Sequence, residues 1–187
     1  MRIKVLSHVA GAAAAAVLLG LLPALAAAQQ SVEAVWAPRE VTFVYQGFTT
    51  HYSCGGLREK IREMLLRLGA RDLRVREQGC IRAGGVEPFP GVRVRMQVLV
   101  PAASQHGNTA GPAIRAHWQH VVLMPSNASL REEGNCELIE QFKETFLPLF
   151  TTRHISYQSN CVPHQLTLGT HLSTEVLIPD AKPAPSR

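Results

Sequence analysis

CGGLREKIREMLLRLGARDLRVREQGC, from Cys54 to Cys80, has a counterpart in CELIEQFKETFLPLFTTRHISYQSNC, from Cys136 to Cys161. Leu57 to Cys80 and Leu138 to Cys161 have equal length, so residue n of one falls on residue n+81 of the other. Under that offset the apolar positions Leu57, Ile61, Leu65 and Leu68 map onto Leu138, Phe142, Phe146 and Leu149. After each copy comes a loop and then a strand-like run with a similar ending, VLVP at Val98–Pro101 and VLIP at Val176–Pro179. The chain reads as two tellings of one supersecondary unit.

Each unit reads as β-α-β-β. Val41 to Phe48 alternates β-branched and aromatic residues with polar ones, the pattern of a strand. Gln29 to Arg39 before it reads as an irregular arm pinned by Trp36. Leu57, Ile61, Met64, Leu65 and Leu68 step along one helical face, with Arg58, Glu59, Arg62 and Glu63 on the other. Ser53 is placed to cap that helix, and Gly69 suits the left-handed position after its end. A strand follows at Leu73–Gly79. In the next, Val92–Val100, Val92, Val94, Met96, Val98 and Val100 face one way while Arg93, Arg95 and Gln97 face the other.

Residues 101–113 are small and polar and read as the link between a first pseudo-repeat, about 40–101, and a second, about 114–179. The second has a strand near His117–Met124, a helix from Cys136 to about Leu147 that Pro148 stops, a strand from His154, and a last strand Leu172–Ile178. Residues 180–187 read as a frayed tail. The whole predicts one α+β domain over 29–179, tandem β-α-β-β repeats with the helices on one face of a mainly antiparallel sheet, related to ferredoxin-like arrangements. One detail conflicts: Leu73 and Val75 in one copy, against Ile155 and Tyr157 in the other, differ by one residue in register, which a bulge would correct.

Met1 to Ala28 reads as a signal peptide for export. Arg2 and Lys4 precede an Ala/Leu-rich core, and Ala26-Ala27-Ala28 offers a cleavage site. Removing 28 residues from 187 leaves 159, enough for one domain with a core and no transmembrane segment. Removal of Arg2 and Lys4 from the 19 basic residues leaves 17 against 14 acidic ones. That balance is too mild for obligate nucleic-acid binding.

Four cysteines in an exported chain predict two disulfides. A helix of about 14 residues spans roughly 20 Å, and a returning strand of about 7 spans roughly 23 Å. The strand's end therefore arrives beside the helix's start. This pairs Cys54 with Cys80 and Cys136 with Cys161, each bridge adding about 3 kcal/mol by loop entropy.

Motifs for catalysis are missing. Asp occurs only at Asp72 and Asp180, which closes most paired-aspartate mechanisms. No C-x-x-C, G-x-S-x-G, H-E-x-x-H, phosphate loop or dinucleotide fingerprint is present. A hydrolase with a dispersed site would have to draw on carboxylates such as Glu40, Glu77 and Glu175, which lie near strands without a distinguishing pattern.

Arginine offers the first binding chemistry. Arg74 and Arg76 alternate on one strand, Arg93 and Arg95 on the next, so a hairpin of the two would set four guanidiniums on one solvent face. Such a face suits carboxylate, phosphate or anionic glycan. Charged outward positions are also the ordinary state of a solvated sheet face.

Histidine offers the second. His51 and His164 each lie three residues from a cysteine, and His117-x-x-His120 adds a pair, so copper or zinc is the alternative ligand. Strand positions three apart point to opposite faces, however, and the cysteines are accounted for by disulfides.

Apolar residues also fall on both faces of single strands: Phe43 and Tyr45 against Val44, and Val98 against Leu99. A second layer, a second copy in a homodimer, or a partner's added strand would then cover the rest.

The stretches YQGFTTHYSC (Tyr45–Cys54), EPFPGVRVRM (Glu87–Met96) and CVPHQLTLGTHL (Cys161–Leu172) resemble those of uncharacterised secreted proteins of Gram-negative proteobacteria. The resemblance implies a periplasmic setting and carries no activity, cofactor or catalytic residue. Together these readings predict a non-catalytic, disulfide-stapled envelope accessory or interaction module without cofactor, its partner an envelope protein or an anionic glycan.

Overall fold

A computed structural model describes residues 31–81, 85–104, 111–124, 135–162 and 170–180. The exported leader expected at 1–28, the middle of the link, His164 and the tail beyond Asp180 lie outside the described residues.

The elements run β1 (Val32–Val44), α1 (Cys54–Arg67), β2 (Arg71–Gln78), β3 (Gly91–Pro101), β4 (Ile114–Leu123), α2 (Asn135–Thr145), β5 (Thr152–Gln158) and β6 (His171–Pro179). The six strands form one sheet in the order β2-β3-β1-β4-β6-β5, every neighbouring pair antiparallel. This is an α+β fold. In each half the last strand inserts between the other two, a split β-α-β unit. The sheet has six strands, against the four of a ferredoxin-like arrangement.

β1 both starts and ends earlier than its alternation suggested, at Val32 and Val44 instead of Val41 and Phe48. The expected arm before Arg39 is strand, and Pro38 sits inside it opposite Gln97. Proline is tolerated there because, among the described residues, β1 pairs with β4 only through Val32, Glu33 and Ala34, so residue 38 has a ladder neighbour on one side alone.

The helix boundaries follow local chemistry. The Ser53 hydroxyl accepts a hydrogen bond from Gly56 N at 3.1 Å, capping α1. At the other end Gly69 has φ +82°, with Gly69 N donating to Leu66 O and Ala70 N to Leu65 O, the paired bonds of a Schellman ending. α2 instead leaves through a 3-10 turn, Leu147–Leu149, with Pro148 inside it.

Both helices lie on one face of the sheet. Leu57, Ile61, Met64 and Leu65 of α1 and Leu138, Ile139 and Phe142 of α2 share one core with Val35, Phe43, Val92, Val94, Val98, Leu123, Leu172 and Val176. β1 and β4 pair at their first residues, yet Phe43 near the end of β1 meets Phe146 just beyond α2, ring centroids 5.3 Å apart. The sheet therefore curls around the helix pair.

The register conflict noted in the sequence disappears in the ladders. Arg74↔Arg95 and Ser156↔Ser173 hold matching places, an offset of 82 between β2 and β5, so Val75 and Tyr157 both turn toward the core. The extra residue is taken up between helix and strand, where one half has the glycine turn at Gly69 and the other the 3-10 turn Leu147–Leu149. Both edge strands carry a register shift, after Arg71 and after Arg153.

Two disulfides close the halves: Cys54–Cys80, Cα–Cα 6.3 Å, and Cys136–Cys161, 5.7 Å. They are the pairs expected from antiparallel return of strand to helix start. No helix of the described residues is long and apolar enough to cross a membrane.

Candidate functional site: the arginine face

The face of the sheet turned away from the helices carries the unusual chemistry. Arg74 and Arg76 of β2 stand directly opposite Arg95 and Arg93 of β3, all four exposed, and together they line one small cavity. Like charges facing each other across a ladder are destabilising. Glu40, on the next strand and opposite Arg95, offsets part of this: Arg93 Nε donates to it at 2.5 Å and Arg95 Nε lies 3.1 Å away. Those bonds, Arg93's first and then Arg95's, hold the Glu40 carboxyl below its ordinary range. One carboxylate among four guanidiniums leaves a positive surface with several N–H donors for an oxyanion.

The corresponding places on the other edge are neutral. Ser156 faces Ser173 and Gln158 faces His171, where the first half has its two arginine pairs. The other edge forms these two ladder pairs without arginine, so the pairing itself does not require the cluster.

Between these flanks the outer face is apolar. Ala34, Leu99, Ala116 and Leu177 are buried there under Trp36, Trp118, Val32 and Ile114. Arg71 lies over the Trp36 ring at 5.3 Å and Arg153 over Trp118 at 4.3 Å. Arg153 also binds Glu175, which takes a further contact from His154 Nδ1 at 3.4 Å. The Arg153 hydrogen bond, with His154 adding to it, holds Glu175 below its ordinary range.

Among the described residues the histidines are dispersed. His117 and His120 share β4 on opposite faces, and His117 Nδ1 is engaged with Asp180 Oδ1 at 2.8 Å. His51 is exposed in the approach to α1. Among the described residues the one group of three metal-type donors is Cys54, Glu77 and Cys80, and its two sulfurs are joined in a disulfide.

Glu137 was not distinguished by any sequence pattern. It lies in the first turn of α2, nearly buried, and its carboxylate accepts from Tyr45 Oη (3.1 Å), Phe48 N (3.0 Å), Thr49 N (3.1 Å) and Thr49 Oγ1 (3.1 Å). Tyr52 Oη donates to Asn135 Oδ1 at 2.8 Å, and Gln141 makes reciprocal bonds with the Gln46 backbone. Burial, with the neighbouring Tyr52 and Glu137, pushes the Tyr45 phenol up, so it remains a neutral donor. The Trp36 and Trp118 pair was equally missed. An offset of 82 instead of 81 would have aligned the two tryptophans and the two arginines over them.

No protein-family model, curated protein or solved structure matches this chain.

Proposed function

We propose that this chain is a non-catalytic accessory module of the bacterial envelope, exported to the periplasm by its first 28 residues and akin to the secreted proteobacterial proteins it resembles. Its arginine face captures a carboxylate- or phosphate-bearing component, an anionic glycan or the acidic surface of an envelope protein. The observation that carries this reading is the contrast between the two edges: Arg74/Arg95 and Arg76/Arg93 stand where the other edge has Ser156/Ser173 and Gln158/His171. A cost to the ladder that the fold does not require points to a ligand. Two disulfides fit an oxidising compartment.

The module is a duplication in this reading. Its support is the matched sheet order, the matched disulfides, and the matched pairs Trp36/Trp118 and Arg71/Arg153. The second copy then keeps the scaffold and the first carries the binding surface.

The test is equilibrium binding of the mature protein to a uronic-acid oligosaccharide and to inorganic pyrophosphate at low and high salt. Binding should weaken as salt rises and fall at least about tenfold in Arg74→Gln/Arg95→Gln, taking a bidentate guanidinium contact at over 1.4 kcal/mol. Unchanged affinity in that variant, with unchanged circular dichroism, rejects the reading.

A further inference from the structure

Among the described residues, four large apolar side chains besides Val44 are exposed to water at one end of the fold. β1 and β2 both run antiparallel to β3, so the loop after β1, the loop after β2 and the approach to β3 share that end. They are knitted side by side: Tyr45 N donates to Pro90 O at 2.9 Å, Glu87 N to Tyr52 O at 3.1 Å, and Ser53 bridges Val86. On this framework Phe48 is 66 % exposed, Ile81 91 %, Val86 52 % and Phe89 65 %. Neighbouring Val44, at the end of β1, is 43 % exposed on the arginine-bearing face.

Two of these tips are held outward by buried carboxylates. Glu137 accepts the backbone N–H of Phe48, and Glu87, itself 4 % exposed, accepts that of Ile81 at 3.0 Å. Apolar side chains on a floppy loop would fold back onto the core. Here the backbone is fixed, which is the preorganisation expected of a contact surface.

The arginines stand directly behind this end. Val44 lies opposite Gly91 in the ladder, Thr42 opposite Arg93 one row further in, and Glu40 opposite Arg95 another row in. Rows on one face are two residues apart, so the two arginine pairs sit about 7 and 14 Å behind the Val44 row. An apolar surface that docks on a bilayer enters about 5–10 Å into the boundary between headgroups and acyl chains. Tips inserted to that depth bring the guanidiniums level with lipid phosphates. The order from apolar tip to cation row to polar body follows the bilayer's own profile.

We propose that this end of the fold docks on an anionic lipid surface, with Phe48, Ile81, Val86 and Phe89 inserted and Arg76 and Arg93 against the phosphates. The arginine part rests on the anion-capturing role proposed above; the apolar part stands on the exposed tips alone.

The experiment is flotation of the mature protein with vesicles of phosphatidylcholine, with and without phosphatidylglycerol, beside the oligosaccharide titration. The protein should float with the anionic vesicles only. Both Phe48→Ser/Phe89→Ser and Arg76→Gln/Arg93→Gln should weaken vesicle binding at least about tenfold, a loss of over 1.4 kcal/mol for each pair. A Phe48→Trp variant should shift its emission to the blue on the same vesicles and be quenched by brominated acyl chains. Oligosaccharide binding without vesicle binding overturns lipid docking and leaves the arginine reading standing. Failure of both overturns both. Full vesicle binding by Phe48→Ser/Phe89→Ser, with disulfides and circular dichroism unchanged, overturns insertion.

Discussion

Asp72 and His154 hold the same place in the two edge strands. Each follows the arginine at which the ladder shifts register, Arg71 or Arg153, and each has a left-handed backbone, φ 50° and 52°. Left-handed φ costs an ordinary L-residue about 1–2 kcal/mol, less for aspartate, whose side chain bonds locally. His154→Val should therefore destabilise by about 1–2 kcal/mol, while His154→Gly should be neutral or stabilising. Urea unfolding midpoints of the two variants decide it; equal loss in both would mean that the side chain, not the backbone, matters at 154.

Glu137 ties the loop after β1 to the start of α2, so its loss should be felt at a distance in sequence. Glu137→Ala removes the acceptor of four hydrogen bonds, three of them to the Phe48–Thr49 segment. A cost of about 2–4 kcal/mol is expected, from several buried or half-buried groups losing a charged acceptor. Glu137→Gln, which keeps one carbonyl oxygen, should cost less. Amide exchange at Phe48 and Thr49 should speed up before that of β3 in both variants.

The disulfides should be separable. Each closes a loop of similar size, with sequence separations of 26 and 25, so reduction of either should cost about 3–4 kcal/mol by the loop-entropy estimate. Peptide mapping without reduction should return Cys54 with Cys80 and Cys136 with Cys161. Any peptide joining the halves contradicts the pairing.

Glu40 gives a pH dependence with a definite sign. Its carboxyl is held below the usual 4.5 by Arg93 and Arg95. A depressed folded value stabilises fully above the unfolded value and is lost as pH falls through the folded one, so the effect lies below about pH 4.5. The group is exposed, and salt should shrink the effect. Carbon-detected titration of the Glu40 carboxyl should show the low midpoint, and Glu40→Gln should lose the part of the acid-side fall in stability that this group causes. The same variant should bind pyrophosphate more tightly, because the carboxylate no longer competes for Arg93 and Arg95.

Much of this architecture was legible in the residues because it depends on local periodicity. Leu57, Ile61 and Leu65 announce a helical face, Val92, Val94, Met96 and Val98 a strand face, and the length of helix against strand brings Cys54 to Cys80. The alternation in β2 and β3 also set the four arginines on one side before any fold was known. Other features had no local signal. Trp36 reads as part of an arm, because Pro38 breaks the strand pattern in a stretch that pairs with β3 and not β4. His117 and His120 are close in sequence and on opposite faces in space.

The sequence by itself thus determined the order of elements, the disulfides and the inward positions, since each follows from the repeat of a helix or strand and the reach of its backbone. Tertiary structure alone decided that β1 and β4 meet at the centre, that Glu137 holds Phe48 across 89 positions, and that the segments bearing Phe48, Ile81 and Phe89 share the end of the sheet next to the arginine rows. Those contacts depend on how the sheet curls around two helices. Periodicity states which way a side chain faces along its own element and is silent about which distant element it will meet.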